Sequence, residues 1–225
     1  MVTLDWAQSF RIIHSRYPFV GIFDRIADPR DLDLLAPLER RTNPRVLDEA
    51  GAIALVRPED RIVGPGTTPI MAAFTHTRPN RFSDGSFGTY YAARQLGTAV
   101  AESRFHVELF YRATDEVSAD IDMRAYSARI AGRFDDLTSI GPEDPRLDPN
   151  SYVASQRYGV RVYEENLVDG ILYRSVRDRE HRPAVACLRP RVVSSCYSYG
   201  YLLYRWDGTA QRIVDVLSRE TFAGG

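Results

Sequence analysis

Residues 80–102, with the sequence NRFSDGSFGTYYAARQLGTAVAE, contain the pattern that most directly predicts the fold. The segment begins with turn-forming residues, and residues 89–93 contain the threonine and tyrosines typical of a strand. Thr98 is a candidate N-cap for a helix that we expect to extend to about Tyr111. The segment therefore predicts a polar loop, a strand and a helix in close succession.

Three side chains of this segment form a candidate site. If the strand ends near residue 93 and the helix begins near residue 98, Glu102 lies close to the helix N-terminus and its carboxylate faces the same cleft as Tyr91. Arg81 adds a guanidinium from the loop. By pattern alone, a surface arginine, a core tyrosine and a solvated glutamate are the commoner interpretation.

The remaining elements are mixed in type along the chain. Apolar runs and alternating patterns predict strands near residues 10–13, 70–75, 117–123, 170–173, 184–188 and 197–204. Apolar spacing predicts further helices near 29–41 and 151–166, and a loop rich in Pro and Gly is expected near 57–69. Because strands and helices follow no regular βαβ order, an α+β fold is favoured.

Composition limits the classes of function. The chain has 225 residues and a formal net charge of -1, which gives no overall attraction to nucleic acid or to an anionic membrane. All 29 basic side chains are arginine, so chemistry that depends on lysine is excluded. The two cysteines are too few for a disulfide framework. Because no signal peptide or long apolar run is found, we expect a cytoplasmic protein.

Several common catalytic motifs are absent. The four histidines are dispersed and no HExxH motif occurs, so no metal site is expected. The Gly64-Pro65-Gly66 turn lacks the last glycine of a dinucleotide fingerprint, and no GxSxG motif is found.

The central segment resembles the RES family, which is named after Arg, Glu and Ser. Its signature is approximately Gly-Arg-(Trp/Phe)-Asn, a strand with Tyr-x-Ala and a helix with Ala-x-x-Glu. The matching pieces here are Arg81-Phe82, Tyr91-Ala92-Ala93 and Ala99-Val100-Ala101-Glu102. A later family element, Gly-(Ile/Val)-x-Tyr-x-Ser, is similar to Gly170-Ile171-Leu172-Tyr173-Arg174-Ser175. Ser83 and His181-Arg182 depart from the usual family residues, which leaves details of substrate contact open.

The resemblance also implies an architecture. RES proteins have a fold similar to ADP-ribosyltransferases, with mixed sheets flanked by helices. We expect residues 70–225 to form the RES catalytic domain. Residues 1–69 are then an N-terminal extension packed on this core, helical in part and with a first strand near 10–13.

The resemblance further implies chemistry on NAD+, which would be a substrate, with no bound cofactor. Glu102 would stabilise the positive charge that develops on ribose when the bond to nicotinamide breaks. Arg81, with Arg11, would bind the diphosphate. Tyr91 would stack on nicotinamide, and Ser175 would hydrogen-bond a ribose hydroxyl or the glutamate. Arg25 is a rival to Arg11 as the first family arginine.

Partners and alternatives follow from the same resemblance. RES proteins are toxins of toxin–antitoxin pairs, so we expect an Xre-type helix-turn-helix antitoxin and no direct contact with nucleic acid or membrane. The acceptor in NAD+ cleavage is open between water, inorganic phosphate and a protein side chain, the last giving an ADP-ribosyltransferase. A non-catalytic nucleotide-binding module and a pure interaction protein are the alternatives from other classes.

Overall fold

The structure, a computed structural model, describes residues 1–15, 21–26, 28–32 and 51–219 and has an α+β fold. The strands are β1 (Val2–His14), β2 (Tyr90–Ala93), β3 (Ser118–Asp136), β4 (Gly170–Arg174), β5 (Pro183–Cys187), β6 (Val193–Asp207) and β7 (Arg212–Arg219). The α-helices of the described ranges are α1 (Ile22–Arg25), α2 (Thr68–Thr75), α3 (Leu96–Tyr111) and α4 (Val153–Glu165). None of the helices in these ranges is long and apolar enough to span a lipid bilayer.

The strands form one mixed sheet in the order β1-β2-β5-β4-β3-β6-β7. The β3–β4 pair is parallel and the other pairs are antiparallel. β1 pairs along β3 and also meets β2 at Phe10, opposite Ala93, so the pairings among β1, β2, β5, β4 and β3 form a closed ring. β1, which belongs to the predicted N-terminal extension, is therefore part of the central sheet.

The sheet carries separate hydrophobic clusters on its two faces. Helix α2 packs into one cluster together with Trp6, Tyr90 and Tyr126. Helix α4 packs into another, which includes Phe82 and Tyr173. The later turns of α3 pack on the β6–β7 end through Val107. This arrangement holds α3 alongside β1 and β2, where the candidate site lies.

Most predicted elements are confirmed, and the structure differs from the predictions in three places. The strand predicted for residues 70–75 is wrong, because this run forms helix α2 with Pro69 in its first turn, a position that proline favours. Helix α3 begins at Leu96 after Gln95, and no side chain caps it, so Thr98 is not the N-cap. Of the helix predicted for 29–41, residues 33–41 lie outside the described ranges and Pro29–Asp31 form a 3₁₀ turn.

Candidate functional site

A cavity of about 440 Å³ lies beside helix α3 and strands β1 and β2, and we name it the α3 cavity. This volume is within the range of small-molecule sites. Strands β1 and β2 contribute apolar side chains such as Phe10 and Ala93. The polar side chains that line it include Asn80, Arg81, Glu102, His106 and Tyr152. The α3 cavity therefore combines an apolar wall with a compact group of charged and polar side chains.

Glu102 lies in the second turn of α3 and is only partly exposed. Its Oε1 accepts a 2.6 Å hydrogen bond from the Ser175 hydroxyl. Burial raises the pKa of Glu102 above its ordinary value, while the Ser175 hydrogen bond and the charge of Arg81 act in the opposite direction. The result is a carboxylate that is partly removed from water but is held in a fixed orientation.

The loop after β4 positions Ser175. This residue is fully buried, and its Oγ accepts hydrogen bonds from the backbone N–H groups of Arg177 (3.2 Å) and Asp178 (3.0 Å). The loop is also tied to α3, because Thr98 Oγ1 donates to Asp178 Oδ2 at 2.7 Å. Ser175 is thus oriented toward Glu102. Glu102 is one of the two hydrogen-bond partners expected for Ser175, and the other is a ribose hydroxyl of the substrate.

Burial opposes ionisation of the Asp178 carboxyl in this loop. Hydrogen bonds from Thr98 and from the Glu180 amide, together with the charge of Arg182, nevertheless hold the pKa of Asp178 below its ordinary value. The loop therefore contains a stable negative charge, and this charge also raises the pKa of Glu102.

Arg81 is 7% exposed and lies close to Glu102. Its Nη1 donates to the carbonyl oxygen of Asp148 at 3.0 Å, and its guanidinium carbon lies 4.7 Å from the ring centroid of Tyr152. Within the described ranges no carboxylate forms an ion pair with it. Since a guanidinium has five N–H donors, Arg81 retains donors and net charge for an anion in the α3 cavity.

Tyr91 has a structural task in addition to its position on the cavity wall. Its hydroxyl donates to Asn80 Oδ1 at 2.7 Å and accepts a 3.0 Å hydrogen bond from the Phe82 backbone N–H. Burial raises the pKa of Tyr91 well above its ordinary value, so the hydroxyl stays protonated. Tyr91 therefore fixes the loop that carries Arg81 and presents an aromatic ring to the cavity.

Arg11 lines the α3 cavity, but its guanidinium carbon lies 4.8 Å from the ring centroid of Tyr90. Its Nη1 donates to the Tyr91 carbonyl at 3.3 Å, and its buried Nε has no hydrogen-bond partner. Burial lowers the pKa of Arg11. Arg25 is exposed on α1 and is not among the residues lining the cavity. The structure thus brings Arg11, and not Arg25, to the candidate site.

The structure adds site residues that the sequence analysis missed. His106 lies one helical turn after Glu102 and is exposed at the α3 cavity. Desolvation of its ring by the surrounding protein, together with the charges of Arg177 and Arg81, lowers its pKa. The spacing of four residues within a predicted helix could have indicated His106. Tyr152 lies far from Arg81 in the sequence, and no local pattern predicts their contact.

The fold and the site define an α+β protein with a small-molecule cavity, in which one oriented carboxylate lies beside a buried arginine. The RES domain family model matches residues 58–207, well over half of the chain, so the chain belongs to the RES domain family. RES domains are found in toxins of toxin–antitoxin systems. The match contains Arg81, Tyr91, Glu102 and Ser175, whereas Arg11 lies before it.

A relative extends the similarity beyond these boundaries. The chain is 26% identical over 210 residues to the uncharacterized protein y4oC of Sinorhizobium fredii (strain NBRC 101917 / NGR234). The alignment covers 89% of this chain and 83% of the relative. The similarity therefore includes sequence outside the RES match.

Proposed function

We propose that this protein is the toxin of a toxin–antitoxin pair and that it cleaves NAD+ at the bond between nicotinamide and ribose, which depletes cellular NAD+. The observation that carries this proposal is the Glu102 carboxylate, oriented by Ser175 at 2.6 Å and placed beside Arg81 in a cavity of small-molecule size. Membership of the RES family supports the toxin role.

Glu102 has the properties that this cleavage requires. When the C–N bond breaks, its electron pair goes to nicotinamide, which leaves as a neutral molecule, and positive charge develops on the ribose ring. A carboxylate hydrogen-bonded to a ribose hydroxyl stabilises that charge, as in glycoside hydrolysis. Because Glu102 is partly desolvated, its interaction with the developing cation is stronger than it would be in water.

The remaining side chains suit the rest of the substrate. The free donors of Arg81 match a diphosphate oxygen pair in the bidentate geometry typical of arginine. Tyr91 offers a ring face to the cationic nicotinamide, an attraction of about 0.5–2 kcal/mol. Arg11 is assigned to the diphosphate as well. Its guanidinium is already in contact with Tyr90, so we expect a smaller contribution from it than from Arg81.

The acceptor of the ADP-ribosyl group determines the class of enzyme. Water gives ADP-ribose, inorganic phosphate gives a phosphorylated ADP-ribose, and a protein side chain gives an ADP-ribosylated protein. All three reactions release nicotinamide, so release alone tests the shared step. Separating the products with and without phosphate then identifies the acceptor.

The proposal is tested by following nicotinamide release from NAD+ by the purified protein. We expect release by wild type, and a loss on the order of 100- to 1000-fold in Glu102→Gln, since this change removes the stabilising charge. Glu164→Gln, at an exposed position on α4, is the matched control and should retain full activity. NAD+ binding without release, equal in wild type and Glu102→Gln, would indicate a nucleotide-binding module instead.

The toxin role has its own test. We expect expression of the wild-type protein to stop growth and lower cellular NAD+, and Glu102→Gln to do neither. Co-expression of an Xre-type helix-turn-helix protein encoded beside the gene should restore growth. Growth arrest with unchanged NAD+ in wild-type cells would contradict the proposed activity.

A further inference from the structure

A second cavity, of about 340 Å³, adjoins the α3 cavity at the C-terminal end of helix α3, and we name it the rim cavity. Phe110 and Tyr111 line both cavities, so these two side chains lie at the boundary between the two spaces. The other residues that line the rim cavity are Thr114, Asp115 and Glu116. A ligand that fills the α3 cavity can therefore reach the aromatic side chains that border this second space.

Phe110 presents an exposed aromatic face at the junction. The side chain of Phe110 is 56% exposed. Its neighbour Leu109 is exposed to a similar extent, 55%, but lines neither cavity. The Phe110 ring packs edge-on against Tyr111 with centroids 5.4 Å apart, and Tyr111 packs on the buried Trp206 at 5.6 Å. The rim therefore has a supported aromatic surface, which lowers the entropy cost of stacking a flat ring there.

The chemical groups along α3 follow a linear order. Glu102 and Phe110 are separated by eight residues, or about 12 Å at 1.5 Å per residue, with His106 between them. The charges of Arg81 and Arg177 act on both Glu102 and His106, so the cationic region overlaps the first half of this span. The carboxylate and the cations thus lie toward one end of this span and the aromatic ring toward the other, so a ribose and diphosphate bound at the first end would leave the base of a dinucleotide near Phe110.

The charges of the rim cavity favour a base over a phosphate. Asp115 and Glu116 are exposed carboxylates that line it, and their charge repels phosphate toward Arg81. Carboxylates also accept hydrogen bonds from an exocyclic amino group. These properties fit a neutral base that carries an amino group.

We propose that Phe110 and the rim cavity bind the adenine base of NAD+, with Phe110 stacked on the ring. This subsite rests on the proposed function, because the position of the scissile bond at Glu102 sets the direction of the dinucleotide. Phe110 acts in substrate binding and takes no part in bond cleavage. The adenine end of the substrate therefore contributes to KM and not to kcat.

The test compares two substrates that share the scissile bond. Nicotinamide release is measured with NAD+ and with nicotinamide mononucleotide, which lacks the adenylate. We expect Phe110→Ala to raise KM for NAD+ roughly ten-fold, the loss typical of one base–aromatic stack, with kcat unchanged. Its constants for the mononucleotide should equal those of wild type. Phe110→Trp should restore the KM for NAD+, and Leu109→Ala is the control for the loss of an exposed apolar side chain.

Failure of this inference is distinguishable from failure of the proposed function. If wild type releases nicotinamide but Phe110→Ala affects both substrates alike, or neither, the adenine subsite is wrong and the cleavage proposal stands. If wild type releases none, calorimetric titration with NAD+ still tests the subsite. Weaker binding to Phe110→Ala than to Leu109→Ala supports it, and equal binding overturns it.

Discussion

Replacing Ser175 with alanine removes the hydroxyl that orients Glu102. The variant loses the 2.6 Å hydrogen bond to Oε1 and leaves the backbone N–H groups of Arg177 and Asp178 without their acceptor. A hydrogen bond to a charged group contributes about 1.5–3 kcal/mol, so we expect kcat/KM for NAD+ to fall roughly 10- to 150-fold. Because the lost bond favours the ionised form, the pKa of Glu102 should rise further in the variant.

The assay is nicotinamide release measured over a range of pH for wild type and Ser175→Ala. The active carboxylate is lost as the pH falls through its pKa, so the acidic limb of the kcat/KM profile should move to higher pH in the variant. Ser9→Ala is the matched control, since Ser9 is also fully buried and donates one 2.8 Å hydrogen bond, to the Ala128 carbonyl, away from the site. An unchanged pH profile in Ser175→Ala, or the same shift in Ser9→Ala, would refute the orienting role.

The Glu102→Gln variant should have a higher Tm than wild type at neutral pH, because burial raises the pKa of this carboxyl and its ionisation therefore opposes folding. This gain in Tm should disappear when the pH is below the pKa of glutamate in the unfolded chain. Calorimetry of both proteins at neutral pH and at such an acidic pH checks the prediction, and an equal Tm at neutral pH would contradict the reasoning. Gly159→Ala would place a Cβ against the Phe82 carbonyl oxygen, so we expect a loss of about 1–3 kcal/mol in urea unfolding and a higher KM for NAD+. Gly97→Ala, where a Cβ meets only the Arg182 guanidinium at 3.5 Å, should be neutral or slightly stabilising, and a loss equal to that of Gly159→Ala would exclude the steric explanation.

Residue preference and helical spacing predicted the elements around the site. Strand β2 was predicted from its strand-favouring tyrosines and helix α3 from apolar side chains at helical spacing, and both lie close to their predicted bounds. Residues 70–75 are apolar almost throughout and are buried on most sides of α2, so they carry no periodic signal that separates helix from strand. Strand β1 is much longer than the predicted residues 10–13. In its first half, which also pairs with β3, the partly buried Val2 and Leu4 and the buried Trp6 alternate with the exposed Thr3 and Asp5, a pattern that the prediction missed.

The candidate site was predicted only where the residues lie close in sequence or match the family motif. Arg81, Tyr91 and Glu102 fall within one short segment, and the structure brings all three to the α3 cavity. The orientation of Arg11 depends on the β1–β3 register, which places its side chain by Tyr90 and which no local pattern reveals. Tyr152 reaches the cavity through the packing of α4, a tertiary effect with no counterpart in local spacing.

The path of β1 through the sheet has a consequence for synthesis of the chain. β1 is synthesised before the other strands of the sheet, yet its main pairing partner is β3, and Ser175 follows both β3 and α4 in the chain. Nearly all of the pairings that shape the cavity join distant parts of the polypeptide, a topology that folds slowly. A nascent chain therefore lacks the hydroxyl that orients Glu102 until β3, α4 and β4 have all been synthesised, which delays assembly of the cavity.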